Sequence, residues 1–496
     1  MSRIARYLWY IVGVIILVLG LVFFFITHIA PATTPGESGD ERATRTPSGV
    51  SGAPGAMLTP TQSMTPVPAA LHLLQLSSDP YTNSTSQHKT EVEPASYTYG
   101  STIVAAFQAG RFSDHGSSNI GWATSSDGGV SWQQGFLAGT TVFAGGPYGR
   151  ISDPAVSYDA AHNTWMIATI AFLDVPDIIA SAVLVSFSTN GGTVWSKPVT
   201  VANVGSDGGL DKDWIACDNT ATSRFYGNCY LEWDNYNINN LIQMSASHDG
   251  GRTWGAAKTT VGQALGFDGY PVVQPDGTVI VPISNGDQTA IRVFTSTDGG
   301  ASWSDPRTIA TVNTFLPGES FRQDILLPTK IDGAGKVYLA WVDCRFEPRC
   351  NGNDVVMTTS SDGVTWSPIR RIPIAPVGGD IDVYVAGLGV DQNTSGPTAH
   401  LGLVFYSYSA HCFNNCKLSV GFASSLDGGV SWSSKTKLAD PFPLDWVAAG
   451  KNKIGDYTSI SFLGGKAFPV FAVGTMPNGG DLNESMYTVE GGMPLS

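Results

Sequence analysis

Charge is scarce in this chain. Only 14% of its 496 residues are Asp, Glu, Lys or Arg, well under the share of an ordinary globular protein. That excludes coiled coils and long solvated helices, whose outer faces need charge. Positive charge is scarcer still: 27 Lys and Arg stand against 41 acids, for a net charge of −14. A nucleic-acid binder needs a basic footprint, and none is present, so nucleic acid is excluded as a partner. An acidic chain can still hold an anionic sugar through a local Arg cluster. What is abundant points elsewhere. Glycine numbers 57, proline 29, and aromatic residues make up 10%, the mixture of a turn-rich all-β protein rather than a helical bundle or a disordered chain.

The first 70 residues differ from the rest. Tyr7 to Thr27 carries no charge and is mostly Leu, Ile, Val and Phe, long enough at helical rise to cross a hydrocarbon core of about 30 Å. Arg3 and Arg6 precede it, which places the N-terminus in the cytoplasm and everything after Ile29 outside. The competing reading is a signal peptide cut near Ala30-Pro31-Ala32, which gives a secreted protein, although the run exceeds the usual h-region. From Pro31 to Ala70, Pro, Thr, Ser and Gly supply 23 of 40 residues, a composition that cannot bury a core and predicts a flexible tether. The expected organisation is residues 1–30 cytoplasmic stub and transmembrane signal anchor, 31–70 linker, and 71–496 the folded domain.

Six cysteines fall into three local pairs: Cys217 with Cys229, Cys344 with Cys350, and Cys412 with Cys416. An even number at short intervals predicts three disulfides in an oxidising compartment. No pair has the companion Cys or His of a zinc site.

One motif recurs: Ser-x-Asp-x-Gly-x-x-Trp. Its copies centre on Asp127, Asp249, Asp298 and Asp427, with Asn190 replacing Asp in a fifth and Asp362 in a sixth that is one residue shorter. The chemistry is that of a hairpin turn: Ser and Asp side chains accept backbone N–H bonds, Gly takes a positive φ, and Trp packs on the sheet. The motif resembles the Asp-box, or bacterial neuraminidase (BNR), repeat of sialidases and related β-propellers. A second period comes from apolar strand starts at Glu93, Asp153, Asp213, Tyr270, Asp324, Tyr384 and Tyr457, spaced 54 to 73 residues apart. Repeats of that length read as propeller blades. The expected fold is an all-β propeller of four-stranded antiparallel blades. Seven are favoured by the strand starts, and six are implied by the sialidase resemblance. Leu71–Leu76 is expected to supply the fourth strand of the last blade and close the ring.

The motif residues sit on outer hairpins, so the chemistry must come from inner strands and their loops. The sialidase resemblance implies a Tyr nucleophile activated by a Glu, an Asp acid, and three Arg around the substrate carboxylate. The stretch Val104 to Asp114 resembles the first-blade segment that carries an Arg and the acid, which nominates Arg111 and Asp114. Gly455-Asp-Tyr457-Thr-Ser-Ile resembles the nucleophile segment. Glu319 stands where the activating Glu falls, with Arg322 beside it, and Arg345 is the second Arg candidate. Two departures are visible. The family's first Arg position reads Val92-Glu93-Pro94, with Tyr148-Gly-Arg150 a loose echo one blade later, and the third Arg position offers only Lys417. Lysine lacks the bidentate fork.

A structural reading stands beside each assignment. Arg111 and Arg345 can pair with neighbouring carboxylates, and Tyr457 can be a packed inner-strand residue. Asp153, Asp213, Asp324 and Asp456 can form a polar ring around the channel. No cofactor motif is present. Calcium is the one ion for which oxygen spacing exists, at Asp234-Asn-Tyr-Asn237, and a solvated loop explains that stretch equally.

Three functions therefore compete for a surface protein whose partner is a glycan or glycoconjugate. They are an exo-α-sialidase-like glycoside hydrolase, a non-catalytic glycan- or protein-binding propeller, and a different carboxylate-based hydrolase or lyase. Three cations converging on Tyr457 in an axial pocket would mark the first. A channel ringed by carboxylates would mark the others.

Overall fold

The computed structural model describes residues 71–174, 177–315, 325–412, 415–447 and 454–496, all within one compact unit. The expected membrane helix and linker lie outside the described residues. Among the described residues the regular elements are strands joined by turns and six short 3-10 segments, and no helix is long and apolar enough to cross a membrane.

A short strand, β1 (Leu73–Gln75), comes first. Then follow β2 (Glu91–Tyr99), β3 (Thr102–Arg111), β4 (Ser117–Ser125), β5 (Gln133–Phe136), β6 (Arg150–Asp159), β7 (Thr164–Leu173), β8 (Ile179–Ser188) and β9 (Val199–Asn203). The middle of the chain gives β10 (Leu210–Cys217), β11 (Cys229–Asn235), β12 (Leu241–Ser247), β13 (Val272–Val273), β14 (Val279–Ser284), β15 (Ala290–Ser296) and β16 (Arg307–Thr311). The remainder gives β17 (Thr329–Ile331), β18 (Val337–Asp343), β19 (Asp354–Ser360), β20 (Arg370–Ile372), β21 (Asp382–Val390), β22 (Leu401–Tyr408), β23 (Lys417–Ser425), β24 (Thr436–Pro443), β25 (Ser459–Leu463), β26 (Lys466–Gly474) and β27 (Glu484–Val489).

Every pairing between these strands is antiparallel, and consecutive strands are neighbours, the arrangement of an all-β propeller. Five separate sheets are blade-sized: β10–β12, β13–β16, β17–β20, β21–β24, and β25–β27 with β1. The expected count of seven separate blades, or six, is corrected here. The region of the first two expected blades forms a single eight-stranded sheet, β2 to β9. Its halves are stitched at one residue pair, Ser117 with Ile151, where the Ser117 hydroxyl also donates to the Ile151 carbonyl at 2.9 Å. The closing strand is found as expected: β1 pairs with β27, Leu73 opposite Val489, so the two ends of the domain share one sheet. That pairing covers an edge that would otherwise be open.

The cores lie between neighbouring sheets. Val104, Ala106 and Ile120 of the first half-sheet pack with Val156, Trp165 and Ile167 of the second. All nine residues of β4 are buried, because the sheet has a neighbour on each face.

The six motif turns hold the geometry that the sequence implies. The Ser hydroxyl donates to Asp127, Asn190, Asp249, Asp298, Asp362 or Asp427 at 2.7–3.1 Å and accepts the Gly N–H at 2.9–3.1 Å. The three expected disulfides are formed.

Candidate functional site at the propeller axis

The innermost strands carry a bulge at matching positions. Pairing slips between Val92 and Ala95, Ser152 and Ala155, Asp211 and Trp214, and Val383 and Ala386. At three of these points, and again at Asp268 just before β13, a non-glycine residue has a positive φ: Glu93 57°, Asp153 51°, Lys212 38° and Asp268 57°. Such conformations are disfavoured for side-chain-bearing residues and persist where the surroundings enforce them. Pro94 and Pro154 follow two of them, and a bulge tolerates a residue that has no N–H to donate. The consequence is functional geometry: a bulge re-aims a side chain, and here charged side chains meet near the axis.

Lys212 is the hub. Its Nζ lies 3.2 Å from Asp456 Oδ2 and 3.4 Å from Asp153 Oδ1, and 4.8 Å from the centre of the Tyr457 ring. Burial alone would lower its pKa, but Asp456, Asp153, Glu93 and Asp268 outweigh that and hold it above the ordinary lysine value. Glu93 accepts the Asp456 N–H at 3.3 Å and a side-chain bond from Gln108.

Beyond the hub lie Asp213, Glu232 and Asp234, whose carboxylate oxygens have no hydrogen-bond partner among the described residues. Burial pushes all three well above the usual carboxylate range, with nearby acids adding to the effect, which favours their protonated forms. Gly269 is required where it stands, because a Cβ there would meet the Glu232 carboxyl carbon at 2.1 Å. Among the described residues no group of three or more Asp, Glu, His or Cys is arranged to hold a metal ion. That includes the Asp234 stretch, where Asn235 instead caps the Asn237 N–H.

Tyr457 belongs to this cluster. It is 8% exposed, its hydroxyl donates to the Pro154 carbonyl at 3.4 Å, and its ring stands edge-on to Trp214. Burial pushes its pKa well above the usual tyrosine value, and Asp153, Glu93, Asp213 and Asp456 push the same way. That is the opposite of the activation a nucleophile requires. The adjoining cavity, shared by Lys212, Asp213, Tyr270 and Lys330, has a volume of about 30 Å³, room for one or two waters and not for a sugar ring.

Among the described residues, Arg111, Asp114, Arg345 and Lys417 do not line that cavity. Arg111 is buried, with Nη1 donating to Gln108 Oε1 and the Gly116 carbonyl, both at 3.3 Å. Asp114 is half-exposed and paired with Arg150, which also holds Asp174 at 2.8 Å and lies over the Phe112 ring. Burial opposes the ionisation of Asp114, but the Arg150 hydrogen bond and charge outweigh it and hold the carboxyl below its ordinary value, unlike a general acid. Arg345 forms a fork on Asp343, Nε to Oδ1 at 2.9 Å and Nη2 to Oδ2 at 2.7 Å. Lys417 is exposed at the start of β23. Glu319, Arg322 and Asp324 lie outside the described residues.

Sequence reasoning missed Lys212 as the centre of the cluster, and it missed Glu232 and Lys330. The Glu-Pro and Asp-Pro pairs at strand starts were the available signal for bulges. The Asp211-Lys212-Asp213 triplet is a local sign of an internal charge pair, whereas nothing local distinguishes Lys330 from a surface lysine.

Two larger cavities lie among the described residues. One, of about 780 Å³, lies at the β14–β15 and β18–β19 turns and includes Arg345, Asn313, Gln288, Asp287, Glu347 and the Cys344–Cys350 bridge. The other, of about 590 Å³, lies at the C-terminal ends of the inner strands and is walled by aromatic residues.

No family model and no curated protein matches the chain. Solved structures do. An ulvan lyase of polysaccharide lyase family PL25 superposes with a TM-score of 0.50 at 11% identity, over 85% of this chain and 97% of that one. A Hadza microbial sialidase gives 0.44 at 14% identity, over 70% of this chain and 66% of that one. A leech intramolecular trans-sialidase gives 0.44 at 13%, over 73% and 70%. The lyase likeness is one of fold, and that fold is the propeller expected from the resemblance to sialidases.

Proposed function

We propose that this chain is a surface-displayed propeller that recognises glycans without sialidase chemistry, carried on an N-terminal membrane anchor. The observation that carries the reading is the state of Tyr457: its hydroxyl faces a carbonyl beside a cavity of about 30 Å³, among carboxylates, with Lys212 the cation at its ring. A sialidase needs the reverse, an open pocket with several cations facing an activated tyrosine.

The 780 Å³ cavity supports recognition. Its volume is that of ordinary ligand sites, Arg345 is oriented by its fork on Asp343, and the side chains of Asn313, Gln288 and Thr289 line the same cavity. Polar groups held in place are what a sugar's hydroxyls require. The carboxylate cluster alone favours an acid–base hydrolase or lyase, but its cavity is too small for a substrate.

The test is to present the full-length chain with a fluorogenic sialoside across acid to neutral pH, and with an immobilised glycan array. No turnover together with retention of a glycan subset, weakened about tenfold or more by Arg345→Ala, is the expected result. Turnover abolished by Tyr457→Phe would overturn the reading.

A further inference from the structure

The 590 Å³ mouth opens at the C-terminal ends of the inner strands and shares no lining residue with the Arg345 cavity. Its walls include Tyr97, Tyr99, Trp214, Tyr270 and Phe462. Lys330, from the short inner strand β17, lines both this mouth and the small axial cavity. Its Nζ donates to the Tyr270 hydroxyl at 2.9 Å and lies 5.0 Å from the Tyr270 ring centre and 5.9 Å from that of Trp214. Those two rings pack on each other with centroids 4.1 Å apart. Among the described residues no carboxylate stands within ion-pair distance of Lys330, whereas Lys212 on the same axis has two.

The mouth does contain two acids, and both are committed. Asp332 accepts the Ala334 and Lys336 N–H groups on one oxygen, and the Gly396 N–H and Tyr338 hydroxyl on the other. Asp391 accepts the Asn393 N–H and side-chain amide, both at 3.0 Å, with His400 at 3.9 Å. The cavity therefore offers an amine that has no counter-ion among the described residues, beside flat apolar surfaces. A site of that kind is completed by a ligand with an anionic group and a ring body: the charge supplies the missing counter-ion, and the ring face packs on the aromatic walls.

We propose that this mouth is a second ligand site, separate from the Arg345 cavity, that takes a small organic anion with a ring body and holds its carboxylate against Lys330. Geometry makes the site, and the protonation of Lys330 makes it measurable. Burial lowers the amine to about 8, so above pH 8 it is largely neutral when the site is empty. An arriving carboxylate favours the charged form and draws a proton onto it. The other titratable groups nearby are Lys212, Asp213, Asp268, Tyr270 and Tyr457 on the axial side and Asp332 and Asp391 in the mouth. The carboxylates around Lys212 raise its pKa and burial raises that of Asp213, so both are biased toward their protonated forms.

The experiment is titration calorimetry of the full-length chain with glucuronate, glucose and acetate, at pH 6.5 and pH 9, in buffers of differing ionisation enthalpy. The expected result is glucuronate binding about tenfold or more tighter than either of the others. Proton uptake should approach one per site at pH 9 and vanish at pH 6.5. Lys330→Met should erase the preference for the acid. Lys330→Arg should keep the preference and abolish the uptake, because guanidinium stays charged. Asp298→Ala, on an outer hairpin, should change neither. Equal affinity for glucose and glucuronate, binding unaffected by Lys330→Met, or uptake that survives Lys330→Arg would each overturn the proposal.

Discussion

At the residue scale, the axis is governed by how buried charge is compensated. Lys212 neutralises Asp153 and Asp456 where solvent cannot. Lys212→Met strands both acids, and an uncompensated buried charge costs about 3–5 kcal/mol, which denaturant unfolding would read directly. Adding Asp456→Asn to that variant should recover part of the loss; a double variant no more stable than the single one would show that the pair does not carry the effect. Tyr457→Phe removes a single hydroxyl bond to the Pro154 carbonyl. It should lower stability by about 0.5–1.5 kcal/mol, without change in glycan retention on the array.

At the scale of elements, the ring depends on its closure. The chain after β1 is tied to β2 through the Ser77 hydroxyl, which donates to Glu91 Oε2 at 2.9 Å and also accepts the Met486 N–H of β27. Glu91 is 1% exposed, and burial pushes it up to about 8. A carboxyl raised in the folded state binds its proton more tightly there than in the unfolded chain. Its contribution is thus fully present below the unfolded value near 4.5 and is lost as pH rises toward 8. Asp213, Glu232 and Asp234 act in the same direction. The melting temperature should fall between about pH 5 and pH 8, and Glu91→Gln should flatten part of that slope; a melting temperature that rises over this window would contradict the assignment. The motif turns behave differently. Asp298 lies on an exposed hairpin and accepts the Ser302 N–H and hydroxyl as well as the Ser296 hydroxyl. Asp298→Ala should cost about 0.5–2 kcal/mol, the range of a lost local cap, and leave any ligand site untouched.

At the scale of the molecule, the expected anchor is tested apart from the propeller. Full-length protein in cell membranes should resist alkaline carbonate extraction, and protease added outside should release the folded domain by cutting between residues 31 and 70. Release by carbonate alone would favour the cleaved-signal reading. Reduction of the three disulfides should loosen loops at Cys217, Cys344 and Cys412 rather than unfold the ring, because each closes a short segment of 4 to 12 residues and short loops gain least from cross-linking.

By itself the sequence determined what is local or periodic. The all-β propeller, the six hairpin turns, the cysteine pairs and the closing role of the Leu71–Leu76 segment follow from turn chemistry and hydrophobic period. Neighbouring residues impose those terms, so they are written in the order of the chain. Tertiary structure decided everything that depends on which remote side chains meet. Whether β4 and β6 share a hydrogen bond sets where one sheet ends and the next begins, and no local pattern encodes a contact between Ser117 and Ile151. The resemblance that nominated Arg111, Asp114 and Arg345 read each from its own segment, whereas their partners are Gly116, Arg150 and Asp343 and none lines the Tyr457 cavity. Lys212 and Lys330 share an axis and a residue type, yet one is saturated by carboxylates and the other faces an aromatic cavity. Burial and long-range electrostatics make that difference, and both exist only once the ring has closed.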